Sequence, residues 1–420
     1  MKSYIFEYKR EDNEIQKVQV VCLDSFDDLD FFKPEISKEA LKHVAFIYRD
    51  FFIKKAPLLF GKLYVFHVPE GVKLPFILKK GEDRQIATKN YLKKNVKTKR
   101  AQELLNELDK RGYLYIVEGR NKFIKTYIPY KSIGFLSKQK AKLLVNSNFF
   151  TFDLFDTDSK YDCFGTPIGL CVKNGKILNP PLFDREAYFV DEKDNAYISK
   201  ISLKNLKISI KGKIYERPIY RNTPINKGYD VVIINDKIVD IKKAGMTRIP
   251  SSGFVINTND KHSIGELVTY EGLENIKFAV QCGNSIIVDG VKTKDFISSF
   301  WKMFKFNSIQ YPPSQYPHDF NKDRAPRIAL GVNKDNKPVI IWAEGQSKYI
   351  HIKGEDSPGV SLKEMGDILD DLEIKNAINL DGGGSAQILL NGKRSLKISD
   401  RDFTNNKESE RPVPIGLIVK

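Results

Sequence analysis

Cysteine, tryptophan and histidine are scarce in this 420-residue chain, with four, two and five copies respectively. The cysteines (Cys22, Cys163, Cys171 and Cys282) form no C-x-x-C pair and have no histidine nearby. That spacing excludes the common zinc sites and a disulfide framework. Buried free thiols are expected, with a single Cys163–Cys171 bridge left open. The histidines, His43, His67, His262, His318 and His351, show no metal-ligand spacing. No apolar run is long enough to cross a membrane as a helix. Residues 1–10 (MKSYIFEYKR) lack the apolar segment of a secretory signal, so a cytoplasmic or virus-particle location is expected. Repeats of 20–50 residues and low-complexity tracts are also missing.

Acidic residues are outnumbered. Lys and Arg total 69 against 53 Asp and Glu, a formal net charge of +16, which favours anionic partners. Phosphorylated glycans, charged surface polymers, nucleotides and nucleic acid all fit that field. The densest basic run (Lys89, Lys93, Lys94, Lys97, Lys99 and Arg100) carries one aromatic, Tyr91, and no known nucleic-acid-binding pattern. It reads as a solvated face, so a nucleic-acid partner stays open but is not favoured.

A hydrophobic content of 41% in a chain of this length supports a large core, in two domains or in one with insertions. Residues 1–130 read as an accessory region or a divergent start of the same domain. They hold strands at 62–68 and 72–78 and a helix at 101–111 stopped by Gly112. From about 131 to 300, Asn174-Gly175, Asp194-Asn195, Lys211-Gly212 and Asn235-Asp236 each separate two short apolar runs, a hairpin signature. Beyond 300, the runs 328–332 and 339–343 flank another turn. Ser361 with Glu364 forms a capping box ahead of an apolar stripe reaching Leu372. The expectation is an α+β fold: a large, mainly antiparallel sheet with packed helices over residues 131–420.

The most informative stretch is Asn379-Leu380-Asp381-Gly382-Gly383-Gly384-Ser385. An apolar run delivers an aspartate to three glycines and a serine. Consecutive glycines are tolerable where the main chain takes positive φ or lies against a ligand. Their amides can converge on an anion beside Asp381. A plain Gly-rich turn capped by Asp381 is the structural alternative.

Together with its neighbours, this stretch resembles the phosphodiester glycosidase family over roughly residues 131–420. The segments that carry the resemblance occur in the family's order: 145–150 (VNSNFF), 165–169 (GTPIG), 249–255 (IPSSGFV), 280–290 (VQCGNSIIVDG), 326–331 (PRIALG), 379–385 (NLDGGGS) and 411–414 (RPVP). Three segments depart from it. Ile328 stands where the family has Thr, Gln346 where it has Arg, and 396–400 (LKISD) is a poor match to its Asn-Arg-Pro-Ser-Asp.

The resemblance implies cleavage of the sugar C1–O bond in a sugar 1-phosphodiester, giving free sugar and a phosphomonoester. Asp381 is the first candidate for the catalytic carboxylate and Glu344 the second. Arg327 and Arg411 are the candidate phosphate binders, since a guanidinium fork matches two phosphate oxygens. The amides of Gly382, Gly383 and Gly384 and the Ser385 hydroxyl add neutral donors. Asn146 and Asn148 are placed to bind sugar hydroxyls or to tie down the Gly-rich loop. No cofactor is required, although Asp381, Glu344 and Asp400 have the oxygen ligands a calcium ion takes. Two other readings stay open: a non-catalytic structural or glycan-binding protein, and a polyanion-associated one.

Overall fold

The computed structural model describes residues 1–9, 12, 14–34, 62–65, 123–126, 134–151, 165–182, 184–216, 227–234, 236–245, 247, 249–250, 253–294, 296, 322–346, 356–401 and 407–420, with only the backbone described at 62–65 and 123–126. The expected helix at 101–111, the extended piece at 72–78 and the lysine-rich run lie outside these residues.

Two antiparallel sheets position the Gly-rich segment. The larger has seven strands in the order Lys2–Lys9, Ile15–Cys22, Pro338–Ala343, Arg327–Asn333, Ile374–Asn379, Ser285–Val288 and Val291–Lys292. Alternation along its strands sorts their side chains onto two faces. Ile328, Leu330, Ile340, Trp342, Ile378 and Leu380 point into the largest core cluster. Ala329, Ile341, Ala343 and Ala377 pack on the opposite face against Leu362, Met365, Ile368 and Leu369. Those four belong to the helix Leu362–Asp371, which starts with the expected capping box: Ser361 and Glu364 each bond the other's backbone N–H.

The second sheet runs Ile388–Leu390, Leu143–Asn146, Gly416–Val419 and Asp30–Phe32. Residues 2–32 of the expected N-terminal region thus supply strands to both sheets, pairing with Pro338–Ala343 and with Gly416–Val419. The expected boundary at residue 130 lies outside the described residues.

The hairpins signalled by turn residues are present. Cys171–Lys173 pairs with Lys176–Asn179, Arg185–Asp191 with Ala196–Ile201, Lys207–Ile210 with Lys213–Tyr215, and Tyr229–Ile234 with Lys237–Lys243. At the first turn Asn174 and Gly175 both take positive φ, +48° and +73°, the geometry that Asn-Gly favours.

The expected fold class needs a correction. Its antiparallel sheets are there, but Leu362–Asp371 is the one α-helix among the described residues, so the architecture is mostly β. The physical reason is that the sheets cover one another. Core residues from the five-stranded and three-stranded sheets (Tyr188, Phe278, Ile208, Val231 and Phe254) join the same cluster as the seven-stranded sheet, where helices would otherwise be needed.

Candidate active site

The Gly-rich loop is the crossing between the two sheets. Leaving the strand Ile374–Asn379, Leu380 N–H still donates to Ile328 O at 2.8 Å, whereas Asp381 N–H donates to Ser147 O at 2.8 Å. Within one residue the chain passes from the larger sheet to the end of Leu143–Asn146 in the smaller one. A single 3-10 turn, Gly383–Ser385, then reverses it into Ile388–Leu390.

Asn146 fastens both ends of this loop. Its Nδ2 donates to Asp381 O at 2.6 Å, and its Oδ1 accepts from Gln387 N–H at 2.9 Å. It is 1% exposed, so neither bond competes with bulk water. Of the two roles expected for it, the structure shows the tie.

The three glycines have separate reasons. A Cβ on Gly382 would sit 2.6 Å from Pro326 O, the atom that accepts the Gly383 N–H at 2.9 Å. Gly383 takes φ +56°. A Cβ on Gly384 would lie 2.0 Å from Asp400 Oδ1 and 2.1 Å from Arg411 Nη2. The loop can therefore lie directly against that ion pair only because position 384 has no side chain. Of these amides, Gly383 N–H is spent inside the protein, on Pro326 O at 2.9 Å.

Asp381 is the chemically distinctive group. Its carboxyl is pushed up to about 7, chiefly by desolvation, with Asp400 adding to the rise. The Ser385 hydroxyl, the charge of Arg411 and the Gly382 N–H oppose that shift without cancelling it. Arg411 in turn is held by Asp400, Nε to Oδ2 at 2.7 Å and Nη2 to Oδ1 at 2.9 Å, with Nη1 at 3.5 Å from Ser385 Oγ. Asp381, Gly382, Gly383, Gly384, Ser385, Arg411 and Asn146 thus form one constellation.

Three other expected residues have partners within the fold. Arg327 is 4% exposed and donates from Nε to Val360 O at 3.2 Å and from Nη2 to Asp323 O at 2.9 Å. Glu344 is 2% exposed; its Oε2 accepts from Ser357 Oγ at 2.7 Å and its Oε1 from Lys397 N–H at 2.7 Å. Asn148, 1% exposed, donates to Gln281 O and Ile168 O and accepts from Ser147 Oγ and Cys171 Sγ. That interior position also explains the cysteines: Cys171 and Cys282 are buried free thiols, and burial pushes Cys171 up to about 12. Cys163 lies outside the described residues.

Among the described residues no group of three or more His, Cys, Asp or Glu side chains comes together as a metal site. Glu344 and Asp400 each use both carboxylate oxygens on protein donors. His262 pairs with Glu266 in the loop between Gly253–Thr258 and Val268–Glu271, and the other histidines lie outside the described residues.

Sequence reasoning gave Asp400 no part in holding Arg411 and gave Ser147 and Gln387 no role of their own. Each acts through a loop contact or a main-chain atom, which leaves no periodic signal.

Residues 205–420, just over half of the chain, match the family model described as phosphodiester glycosidase. The N-acetylglucosamine-1-phosphodiester alpha-N-acetylglucosaminidase of Homo sapiens is 23% identical over 211 residues, covering 43% of this chain and 39% of the human protein. The Bos taurus enzyme of the same name is 43% identical over 93 residues, 22% of this chain and 16% of that one. The chain therefore spans well under half the length of the curated relatives it matches. Among solved structures, the zebrafish catalytic domain of this enzyme, auto-inhibited by its pro-peptide, aligns with a TM-score of 0.43 at 12% identity, over 100% of this chain and 82% of that one. A hypothetical protein from Synechocystis aligns with a TM-score of 0.39 at 17% identity, over 68% of this chain and 53% of that one.

Proposed function

This chain belongs to the phosphodiester glycosidase family, and we propose that it is a hydrolase cleaving the C1–O bond of a sugar 1-phosphodiester. The observation that supports this reading most is the place of the Asp381 carboxyl, half-buried at the start of the Gly-rich loop that lies against the Asp400–Arg411 pair, where its environment pushes it up to about 7. A group that titrates near the working pH is the one best suited to exchange a proton in a transition state.

The chemistry follows from the leaving group. A phosphate monoester is weakly basic and departs without strong general-acid help, unlike the alkoxide of an ordinary glycoside. Water attacks C1, its proton passes to the Asp381 carboxylate, and the C1–O electron pair leaves on the phosphate oxygen. The products are free sugar and a phosphomonoester. Asp381 also stabilises the positive charge that develops at C1. Arg411, which reaches Ser385 Oγ, and the Ser385 hydroxyl both favour the ionised form of that carboxylate, and Asn146 holds the loop that carries it. The net charge of +16 draws an anionic substrate towards the protein.

Hydrolysis in water enriched in oxygen-18 tests the bond assignment. Label in the sugar's anomeric hydroxyl is expected. Label in the phosphate would mean P–O cleavage, and the reading would be wrong.

A further inference from the structure

The proposed reaction needs a cation for the substrate's phosphodiester, and the two arginines expected to supply it are engaged elsewhere. Arg411 has a carboxylate across its guanidinium, Asp400 at 2.7 and 2.9 Å, and so presents little net charge. Arg327 is buried and donates to main-chain carbonyls. Two further cations near the loop are also paired: Arg394 with Glu410 at 3.1 Å and Lys397 with Asp356 at 3.1 Å.

Arg401 differs from all of these. It is half-buried, and among the described residues no carboxylate lies within ion-pair distance of it. Nη1 donates to the carbonyls of Ile398 and Asp400, and Nη2 donates to Gln346 Oε1. A guanidinium carries five N–H donors. Three are used, which leaves the Nε hydrogen and one Nη2 hydrogen, the number a bidentate phosphate contact takes. The contacts that are made anchor the group without neutralising it.

Its place in the fold fits the same role. On one side Arg401 follows Asp400, whose Oδ1 lies against Gly384 and whose carboxylate holds Arg411. On the other it grips Gln346, next to Gly345, which packs on Pro326; Pro326 in turn packs on Gly382. Arg401 therefore bridges the segments flanking the Gly-rich loop. A second observation marks the spot. Gln346 is 4% exposed, and its Nε2 is buried with no partner. Such a donor is costly to leave unsatisfied, and an acceptor oxygen arriving beside the guanidinium would satisfy it.

We propose that Arg401, supported by Gln346, is the residue that binds the substrate's phosphate, while Arg411 serves to position Asp381 and Ser385. This assignment rests on the phosphodiester reading, and its test separates the two. Inorganic phosphate is the probe, followed by phosphorus-31 line broadening and by competitive inhibition of turnover. Variants are Arg401→Gln, Arg401→Lys and, as a remote control, the exposed Lys334→Gln, with folding checked by near-ultraviolet circular dichroism.

Loss of a charge-assisted bond predicts that Arg401→Gln weakens phosphate binding and raises KM by about tenfold or more, with kcat changed less. Arg401→Lys keeps the charge but not the fork, so a smaller loss, about threefold, is expected. Lys334→Gln is expected to match the wild type. Phosphate binding by a folded Arg401→Gln within about twofold of wild type would overturn the proposal. So would a wild type that binds no phosphate. Should Arg401→Gln fail to fold, equal phosphate affinity in Arg401→Lys would overturn it. Phosphate bound through Arg401 without turnover of any sugar phosphodiester would keep this assignment and discard the hydrolase reading. Turnover with unchanged phosphate inhibition in Arg401→Gln would do the reverse.

Discussion

Asp400 spans the guanidinium of Arg411, accepting from Nε at 2.7 Å and from Nη2 at 2.9 Å, and this pair lies on the backbone of Gly384. Nothing in the loop sequence alone says that an aspartate sixteen residues downstream completes it. The pair sets the charge seen by Asp381, since Arg411 lowers and Asp400 raises its pKa.

The first prediction concerns pH and rate. With Asp381 ionised in the productive form, kcat/KM is expected to rise with pH and level off above about 7. Asp400→Asn removes an anion that raises the pKa, so the limb shifts to lower pH. Arg411→Gln removes a cation that lowers it, so the limb shifts to higher pH. Initial rates from pH 4 to 9 on the three proteins check this, and shifts of the opposite sign would contradict it.

The second concerns pH and stability. The folded pKa of Asp381 lies above its unfolded value of about 3.9. Between about pH 4 and 7 the unfolded chain therefore binds fewer protons at this residue, and stability falls as pH rises. Asp381→Asn is expected to match the wild type near pH 4 and to exceed it above pH 7. Urea denaturation at both values reads the difference.

The third compares neighbouring glycines. Gly384→Ala drives a methyl group to within 2.0 Å of Asp400 Oδ1, so the ion pair must separate. A loss of about 1–3 kcal/mol and of most activity is expected. Gly383→Ala meets nothing within 4 Å and carries only the strain of φ +56°, about 1 kcal/mol. Thermal denaturation of the pair gives the ranking.

The fourth separates tie from catalyst. Asn146→Ala leaves Asp381 O and Gln387 N–H without their partner, at about 1–3 kcal/mol each. Glu344→Gln turns an amide N–H₂ towards one of two donors, Ser357 Oγ or Lys397 N–H, and is expected to lose stability while keeping the pH profile. Loss of turnover by Glu344→Gln at unchanged melting temperature would instead make Glu344 a catalytic group.

Much of this was legible beforehand where chemistry is local. The Asn174-Gly175 turn and the Ser361–Glu364 capping box located a hairpin and a helix to within a residue or two, because both depend on neighbours in the chain. The balance of helix and sheet was not legible, since which faces cover which sheets is a long-range matter. The same holds in the site. Asp381 and Ser385 are four residues apart and were visible as a unit. The capture of Arg411 by Asp400, and of Arg327 by the carbonyls of Val360 and Asp323, depends on loop packing that no spacing encodes.

The most direct test of the central claim is release of free sugar from a small panel of sugar 1-phosphodiesters, N-acetylglucosamine and glucose adducts included, by wild type and by Asp381→Ala. Turnover by the wild type and none by a folded Asp381→Ala is the predicted result. Equal release by both proteins would contradict the role given to Asp381, and no release by either across the panel would contradict the hydrolase itself.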